Sequence, residues 1–153
     1  MAGYDPQNMR VRRLQMNDLD AIVEIDHKIG KSGTRRYPYW RNKIEELDNT
    51  SPYCSLVAEY EGRVRGFILG TVSGWEFGVP NTVGWVDIIG VDPAYQKKGV
   101  ATTLFRAILE EFKKEGAQRV YTLVRWEDWD LMSFFKSVGF SRGDIINLEY
   151  TIE

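Results

Sequence analysis

The chain is poor in cysteine. It has one, Cys54, in 153 residues, so it can form no internal disulfide. Its place in the apolar alternation Cys54-Ser55-Leu56-Val57-Ala58 reads as a small core residue. No apolar run approaches the roughly 20 residues that a membrane-spanning helix needs. The opening residues Met1-Ala2-Gly3-Tyr4-Asp5 lack the charged-then-apolar order of a signal peptide. A soluble, cytoplasmic protein is expected. Positive charge is not in excess: 20 Lys and Arg stand against 22 Asp and Glu, a net charge of −2. Without a clustered basic patch, nucleic-acid binding is disfavoured. Repeats, linkers and low-complexity segments are absent as well. A hydrophobic content of 43% is enough for one domain over residues 1–153 with a full core. Two common nucleotide motifs are also missing. No Gly precedes Lys98-Gly99 at P-loop spacing, and the single glycine there does not make the three-glycine dinucleotide fingerprint.

What the chain does carry is a strand, a short polar loop and a helix start within residues 83–112. The loop reads Gln96-Lys97-Lys98-Gly99-Val100-Ala101. Gly99 and Ala101 let backbone approach a ligand closely, and the first N–H groups of a helix have no partners inside it. Phosphate binds well to such a turn. The preceding run Val86-Asp87-Ile88-Ile89-Gly90-Val91 ends at Asp92-Pro93, where Pro93 cannot donate to a ladder and marks the strand's end.

This arrangement resembles the GNAT acyltransferase superfamily, whose pyrophosphate loop has the pattern Gln/Arg-x-x-Gly-x-Gly/Ala between a strand and a long helix. Gln96, Gly99 and Ala101 match it. The likeness continues through Val91-Asp92-Pro93-Ala94-Tyr95, the helix beginning near Thr102, and Phe134-Phe135-Lys136-Ser137-Val138-Gly139-Phe140. That last segment is similar to the family's Phe-Tyr-Glu-Lys-x-Gly-Phe. The resemblance implies an α/β fold with a central mixed, splayed sheet flanked by helices on both faces. It implies acetyl-CoA as acyl donor and no metal. The pantetheine arm would lie along the backbone of Ile89, Gly90 and Val91. The pyrophosphate would sit beside Gln96 on Lys97, Lys98, Gly99, Val100, Ala101 and Thr102. The implied reaction is direct acetyl transfer in a ternary complex to a primary amine, with a homodimer compatible with it.

Pattern and punctuation outline the rest. A strand at residues 9–15 precedes Asn17 as N-cap and an amphipathic helix carrying Leu19, Ile22, Val23 and Ile25. A glycine-punctuated basic loop at 27–36 leads to a second helix at 39–47. Strands at 54–60 and 63–72 join through Glu61-Gly62 as a hairpin. Residues 73–82 are broken by Gly74, Gly78, Pro80 and Asn81, while Trp75 and Phe77 supply apolar cover for a pocket. A strand at 83–91 leads into the loop. Leu104, Phe105, Ile108, Leu109 and Phe112 then repeat at helical spacing up to Gly116, a fitting C′ residue. A strand at 119–124, a helix at 129–138 with Leu131, Met132, Phe135 and Val138 inward, and a strand at 145–152 complete the chain. Its five tryptophans, Trp40, Trp75, Trp85, Trp126 and Trp129, are scattered among elements expected to pack.

Acyl transfer to an amine needs a base for the ammonium proton, stabilisation of the developing oxyanion and a proton for the leaving thiolate. Backbone N–H groups near Val91 serve the oxyanion. For the base, strict alternation puts Trp85, Asp87 and Ile89 on one face of the strand and Val86, Ile88 and Gly90 on the other. A carboxylate in so apolar a strand is costly unless paired or used. Asp87 is therefore either the base or a salt-bridged carboxylate that fixes a loop. The family's best-known glutamate falls two residues earlier, at Trp85. Glu76 is a second candidate, acting through water. The resemblance places Phe135 where many members have a tyrosine that protonates the thiolate, and Asp128 where they have an asparagine. Phe135 has no proton to give. A thiol of ordinary pKa, about 8.5, is a tolerable leaving group unaided.

Two functions stay open on this reading. One is an acetyl-CoA-dependent N-acetyltransferase acting on a peptide or protein N-terminus, a lysine or an amino-acid-like amine. The other is a non-catalytic acyl-CoA-binding regulatory module. For the acceptor, Glu76, Asp87, Glu127 and Asp128 would attract a cationic amine, and Lys31, Arg35 and Arg36 would attract a carboxylate.

Overall fold

The computed structural model describes residues 3–30, 33–50, 53–74, 78 and 81–153. The elements run β1 (Met9–Arg13), α1 (Leu19–Ile29), α2 (Tyr37–Asp48), β2 (Leu56–Tyr60), β3 (Arg63–Gly74), β4 (Thr82–Val91), α3 (Val100–Lys114), β5 (Arg119–Thr122) and α4 (Trp129–Ser137). The chain divides into two units, 1–122 and 123–153.

The first unit is built on a five-stranded sheet in the order β1-β2-β3-β4-β5. The first four strands are antiparallel neighbours, and β5 joins β4 in parallel. The β2–β3 hairpin turns at Glu61 (φ 54°) and Gly62 (φ 74°), the two positive values that a type I′ turn demands. Helices cover both faces. Leu19, Ile22, Val23 and Ile25 of α1 and Trp40, Ile44 and Leu47 of α2 bury against Val57, Phe67 and Leu69. On the other face lies α3, with Val100, Leu104, Phe105, Ile108 and Phe112 buried. Each such side chain contributes roughly 1.5–3 kcal/mol of hydrophobic stabilisation. The approach of α3 is close because glycines floor it. A Cβ on Gly84 would stand 2.5 Å from the Phe112 ring, and one on Gly70 would stand 2.6 Å from Ile108.

Several boundaries differ from the sequence reading, each for a local reason. Asn17 does not cap α1: it lies within a 3₁₀ turn, Met16–Asp18. There Asp18 accepts from the Gln15 N–H (2.8 Å) and from both terminal nitrogens of Arg12 (2.9 and 2.7 Å). Helix α2 starts two residues earlier than expected, because Pro38 fits a first helical turn. Strand β5 stops at Thr122, whose hydroxyl donates to the Val86 carbonyl at 2.9 Å. Strand β3 extends to Gly74, which pairs with Thr82. The expected break at residues 73–82 is thus shorter, and Trp75, Glu76, Phe77, Val79 and Pro80 lie outside the described residues.

In the second unit, Asp128 caps α4 by accepting from the Leu131 N–H at 3.1 Å. The helix closes on Gly139 (φ 111°). Gly139 N–H donates to the Lys136 carbonyl (3.1 Å) and Phe140 N–H to the Phe135 carbonyl (2.9 Å), the two bonds of a Schellman motif. Its accompanying apolar contact is Phe135 on Phe140, ring centroids 4.9 Å apart. Of the four residues expected to face inward on α4, Phe135 alone is fully buried. The expected strand at 145–152 does not form. Ile146, Leu148, Tyr150 and Ile152 alternate as a strand face would, yet all are exposed, Leu148 at 84%. Alternation supplies a face but no ladder, and the sheet's ladders end at β5. Trp126 and Trp129 are exposed as well, against the expectation of packing, whereas Trp40 is buried. No helix among the described residues is long and apolar enough to cross a membrane.

Candidate active site

The strand-to-helix loop has the geometry of an anion cradle. Asp92 ends β4 and is buried. Its carboxylate accepts from the Ala94 N–H (3.0 Å) and the Lys28 ammonium (3.3 Å), with Arg65 at 3.6 Å. After the 3₁₀ turn Pro93–Tyr95, the Gln96 side-chain amide donates back to the Val91 carbonyl at 3.2 Å. Lys97 then takes φ 62° and Gly99 φ 83°. Two left-handed residues so close together turn successive N–H groups into a concave nest. Gly99 is also the N-cap of α3 and offers no side chain of its own, so the N–H groups of Val100, Ala101 and Thr102 face outward. The Thr103 hydroxyl bonds back to the Gly99 carbonyl (2.9 Å). Nothing lies within 4 Å of where a Gly99 Cβ would stand, which leaves room for a phosphate. Lys98 leans over the rings of Tyr4 (5.2 Å) and Tyr95 (5.3 Å).

Upstream of the loop, β4 loses its outer neighbour. Pairing with β5 runs from Val83–Arg119 to Val86–Thr122 and stops. Ile89, Gly90 and Val91 therefore have no strand partner on that side among the described residues. This is the splay in the sheet, and its open main-chain edge leads directly to the cradle.

Asp87 stands where the splay begins. On the β3 side the register skips it: Ile88 pairs with Leu69 and Val86 with Gly70. Asp87 is the extra residue of a β-bulge, which breaks the strict alternation assumed from the sequence. Ile88 packs against the α1–α2 core, and Asp87 reaches Lys43 of α2, 3.9 Å from its Nζ. These two consecutive residues share a face, whereas alternation had set Asp87 beside Ile89 and opposite Ile88. The Asp87 side chain is only 27% exposed although the residue as a whole is exposed, so the open part is its backbone. Burial pushes the carboxyl above its ordinary range; Lys43 counters this and Glu46 adds to it. Trp85 lies two residues earlier, against the Tyr121 ring at 5.2 Å.

The structure thus brings Asp87, Ile89, Gly90, Val91 and the loop residues Gln96 to Thr102 onto one continuous path. Glu76 lies outside the described residues, as does Lys31. Asp128 and Phe135 belong to the second unit, where they cap and close α4. Arg35 and Arg36 are not free to draw in a carboxylate. Arg36 holds Asp26 at two points (2.9 and 2.6 Å), and Arg35 holds Glu24. In each pair the arginine's hydrogen bond keeps the carboxyl below its ordinary range. Lys43 and Glu46 were not foreseen, since nothing in an α2 sequence says which polar residue will face a bulge three elements away. Lys97 was expected in the loop, but its positive φ carries no sequence signal. Among the described residues no cluster of three His, Cys, Asp or Glu side chains is placed to hold a metal ion.

Known proteins share this architecture. The chain matches the acetyltransferase (GNAT) family over residues 19–140. An N-alpha-acetyltransferase of Saccharolobus solfataricus is 26% identical over 151 residues, covering 94% of this chain and 87% of that protein. The ribosomal protein bS18-alanine N-acetyltransferase of Escherichia coli is 23% identical over 135 residues, 88% of this chain and 82% of that protein. Among solved structures, the aminoglycoside N-acetyltransferase AAC(6')-Iy in complex with CoA aligns with a TM-score of 0.79 over 94% of each chain, at 16% identity. The last likeness is one of fold. With cradle, splayed strand and family match in agreement, the chain belongs to the GNAT family and is an acetyltransferase that transfers acetyl groups to amines.

Proposed function

We propose that this enzyme acetylates the free α-amine of a polypeptide N-terminus, with acetyl-CoA as donor and Asp87 as general base. The observation that carries the reading is the position of Asp87: a desolvated carboxylate in a bulge, at the point where β5 leaves β4, on the strand that runs into the anion cradle. The two curated relatives above, one named an N-alpha-acetyltransferase and the other an alanine N-acetyltransferase of a ribosomal protein, support the α-amine. The pairing of Arg35 and Arg36 supports it too, because neither is left to clamp the carboxylate of a free amino acid. The family match runs across residue 122, which supports one acetyltransferase domain made of both units. A cytoplasmic setting belongs to the same reading, in keeping with a sequence whose single cysteine can form no internal disulfide.

Acetyl-CoA supplies an acetyl group already activated as a thioester. The N–H groups of residues 98–102 hold its phosphates, and the open edge at Ile89, Gly90 and Val91 aligns its arm by main-chain pairing. N–H groups near Val91 face the oxyanion. Asp87 takes the ammonium proton directly or through one water, which frees the nitrogen lone pair; Glu76 is the alternative relay. The thiolate leaves unaided and takes its proton from solvent, a thiol of ordinary pKa, about 8.5, being a tolerable leaving group.

Thiol release across a panel of N-terminal peptides, a polyamine, an aminoglycoside and free amino acids tests this. Peptides with free α-amines should be turned over, and Asp87→Asn should lower their kcat by roughly 10²-fold or more with acetyl-CoA affinity unchanged. Turnover confined to the polyamine or the aminoglycoside would remove the peptide assignment. Full activity of Asp87→Asn would remove the base.

A further inference from the structure

We propose that Lys43 of α2 is a positioning residue for this reaction, holding the Asp87 carboxylate in place at the bulge and favouring its charged form through their ion pair. The inference rests on Asp87 as base and extends it to a residue on a different element. Its ground is geometric. At the bulge Asp87 faces α2, on the same side of β4 as Ile88, and there its Oδ2 lies 3.9 Å from the Lys43 Nζ. Both side chains are largely withdrawn from water, 23% and 27% exposed, so the pair is weakly screened. One turn on, Glu46 presents a second carboxylate to the same site. Leu69 and Gly70 face the bulge from β3 and carry no charge. From β5 the nearest titratable side chain in register is Tyr121, on Trp85. Lys43 and Glu46 are thus the charges that act on Asp87, with opposite signs.

An ammonium beside a general base has two consequences. It opposes the effect of burial and so favours the charged form of the carboxylate, the form that accepts a proton. At 3.9 Å it is also near enough to steer the carboxylate, yet too far for a short hydrogen bond that would occupy it. The carboxylate oxygens stay available to accept a proton.

The sign of the test follows. Without Lys43, burial and Glu46 act unopposed, so Asp87 should titrate higher and the acid limb of the pH–rate profile should move to higher pH. Thiol release with acetyl-CoA and one fixed peptide acceptor should show that limb about one pH unit higher in Lys43→Met. It should return to the parent position in Lys43→Arg and move lower in Glu46→Gln. The acceptor is the same throughout, so a movement of the limb between variants comes from the enzyme. Melting curves accompany each variant, and Lys43→Gln replaces Lys43→Met if the latter does not fold. An acid limb unmoved in folded Lys43→Met, or moved equally by Lys43→Arg, would overturn the positioning role. The parent reading fails separately, if Asp87→Asn retains full activity.

Discussion

A carboxylate as dry as that of Asp87 raises the question of what it gives in return. Burial disfavours its charged form, and the ion pair with Lys43 offsets only part of that. Such groups cluster at catalytic positions, where a base must be poised to accept a proton. Gly99 is the second residue where local conformation and chemistry coincide. Its φ of 83° is one that a β-branched side chain adopts only under strain, and its missing Cβ leaves the cradle open. Gly99→Val should therefore weaken acetyl-CoA binding by an order of magnitude or more while the rest of the fold stays intact. Calorimetry showing unchanged affinity would remove the phosphate from this loop. The sequence alone marked both residues, Gly99 by its motif and Asp87 by its anomaly among apolar neighbours. It did not mark Lys43, because a lysine on a helix flank looks the same whether it faces water or a bulge.

At the scale of elements, helix α3 and strand β4 owe their fit to glycines. A sheet built with side chains at residues 70 and 84 would hold α3 away, and Phe112 would have no floor. Gly84→Ala places a methyl 2.5 Å from the Phe112 ring. Overpacking of this kind should destabilise by about 1–3 kcal/mol, read as a lowered urea midpoint with an unchanged slope. An unaltered midpoint would mean that α3 is free to retreat. The segment from Phe134 to Phe140 illustrates a different coupling. Its glycine and second phenylalanine close α4 through a Schellman motif, with Phe135 packed on Phe140. The similarity to the family segment is thus partly a helix-ending code. The Gly116 turn closes α3 in the same way, Ala117 N–H donating to the Phe112 carbonyl at 3.0 Å. The ends of α3 and α4 were legible because a glycine C-cap is local chemistry. The shortened β5 and the unformed strand at 145–152 were not, since a strand exists only by virtue of a partner.

For the molecule as a whole, Cys54 offers a probe of cooperativity in the first unit. It is 2% exposed, and burial pushes its thiol up to about 11. A native chain should leave this thiol unmodified by a disulfide reagent at pH 8 for hours, with full reaction in denaturant. Rapid labelling under native conditions would show that the sheet opens locally at β2. The same inertness lets thiol release be followed without interference from the enzyme.

Composition, periodicity and short motifs by themselves determined much of this protein: an α/β fold, the hairpin turn, the stops of α3 and α4, and a glycine-bearing strand-to-helix loop with its family likeness. These are properties of neighbouring residues, carried by φ preferences, capping and the spacing of apolar side chains. Tertiary structure alone decided the rest. It put a bulge under Asp87 and so overrode the alternation that had paired it with Ile89. It ended β5 at Thr122 and opened the edge of β4. It also engaged Arg35 and Arg36 with α1 and brought Lys43 to Asp87. Each of these is a relation between residues far apart in the chain, set by register and packing, and a one-dimensional pattern carries no record of which distant partner a side chain will meet.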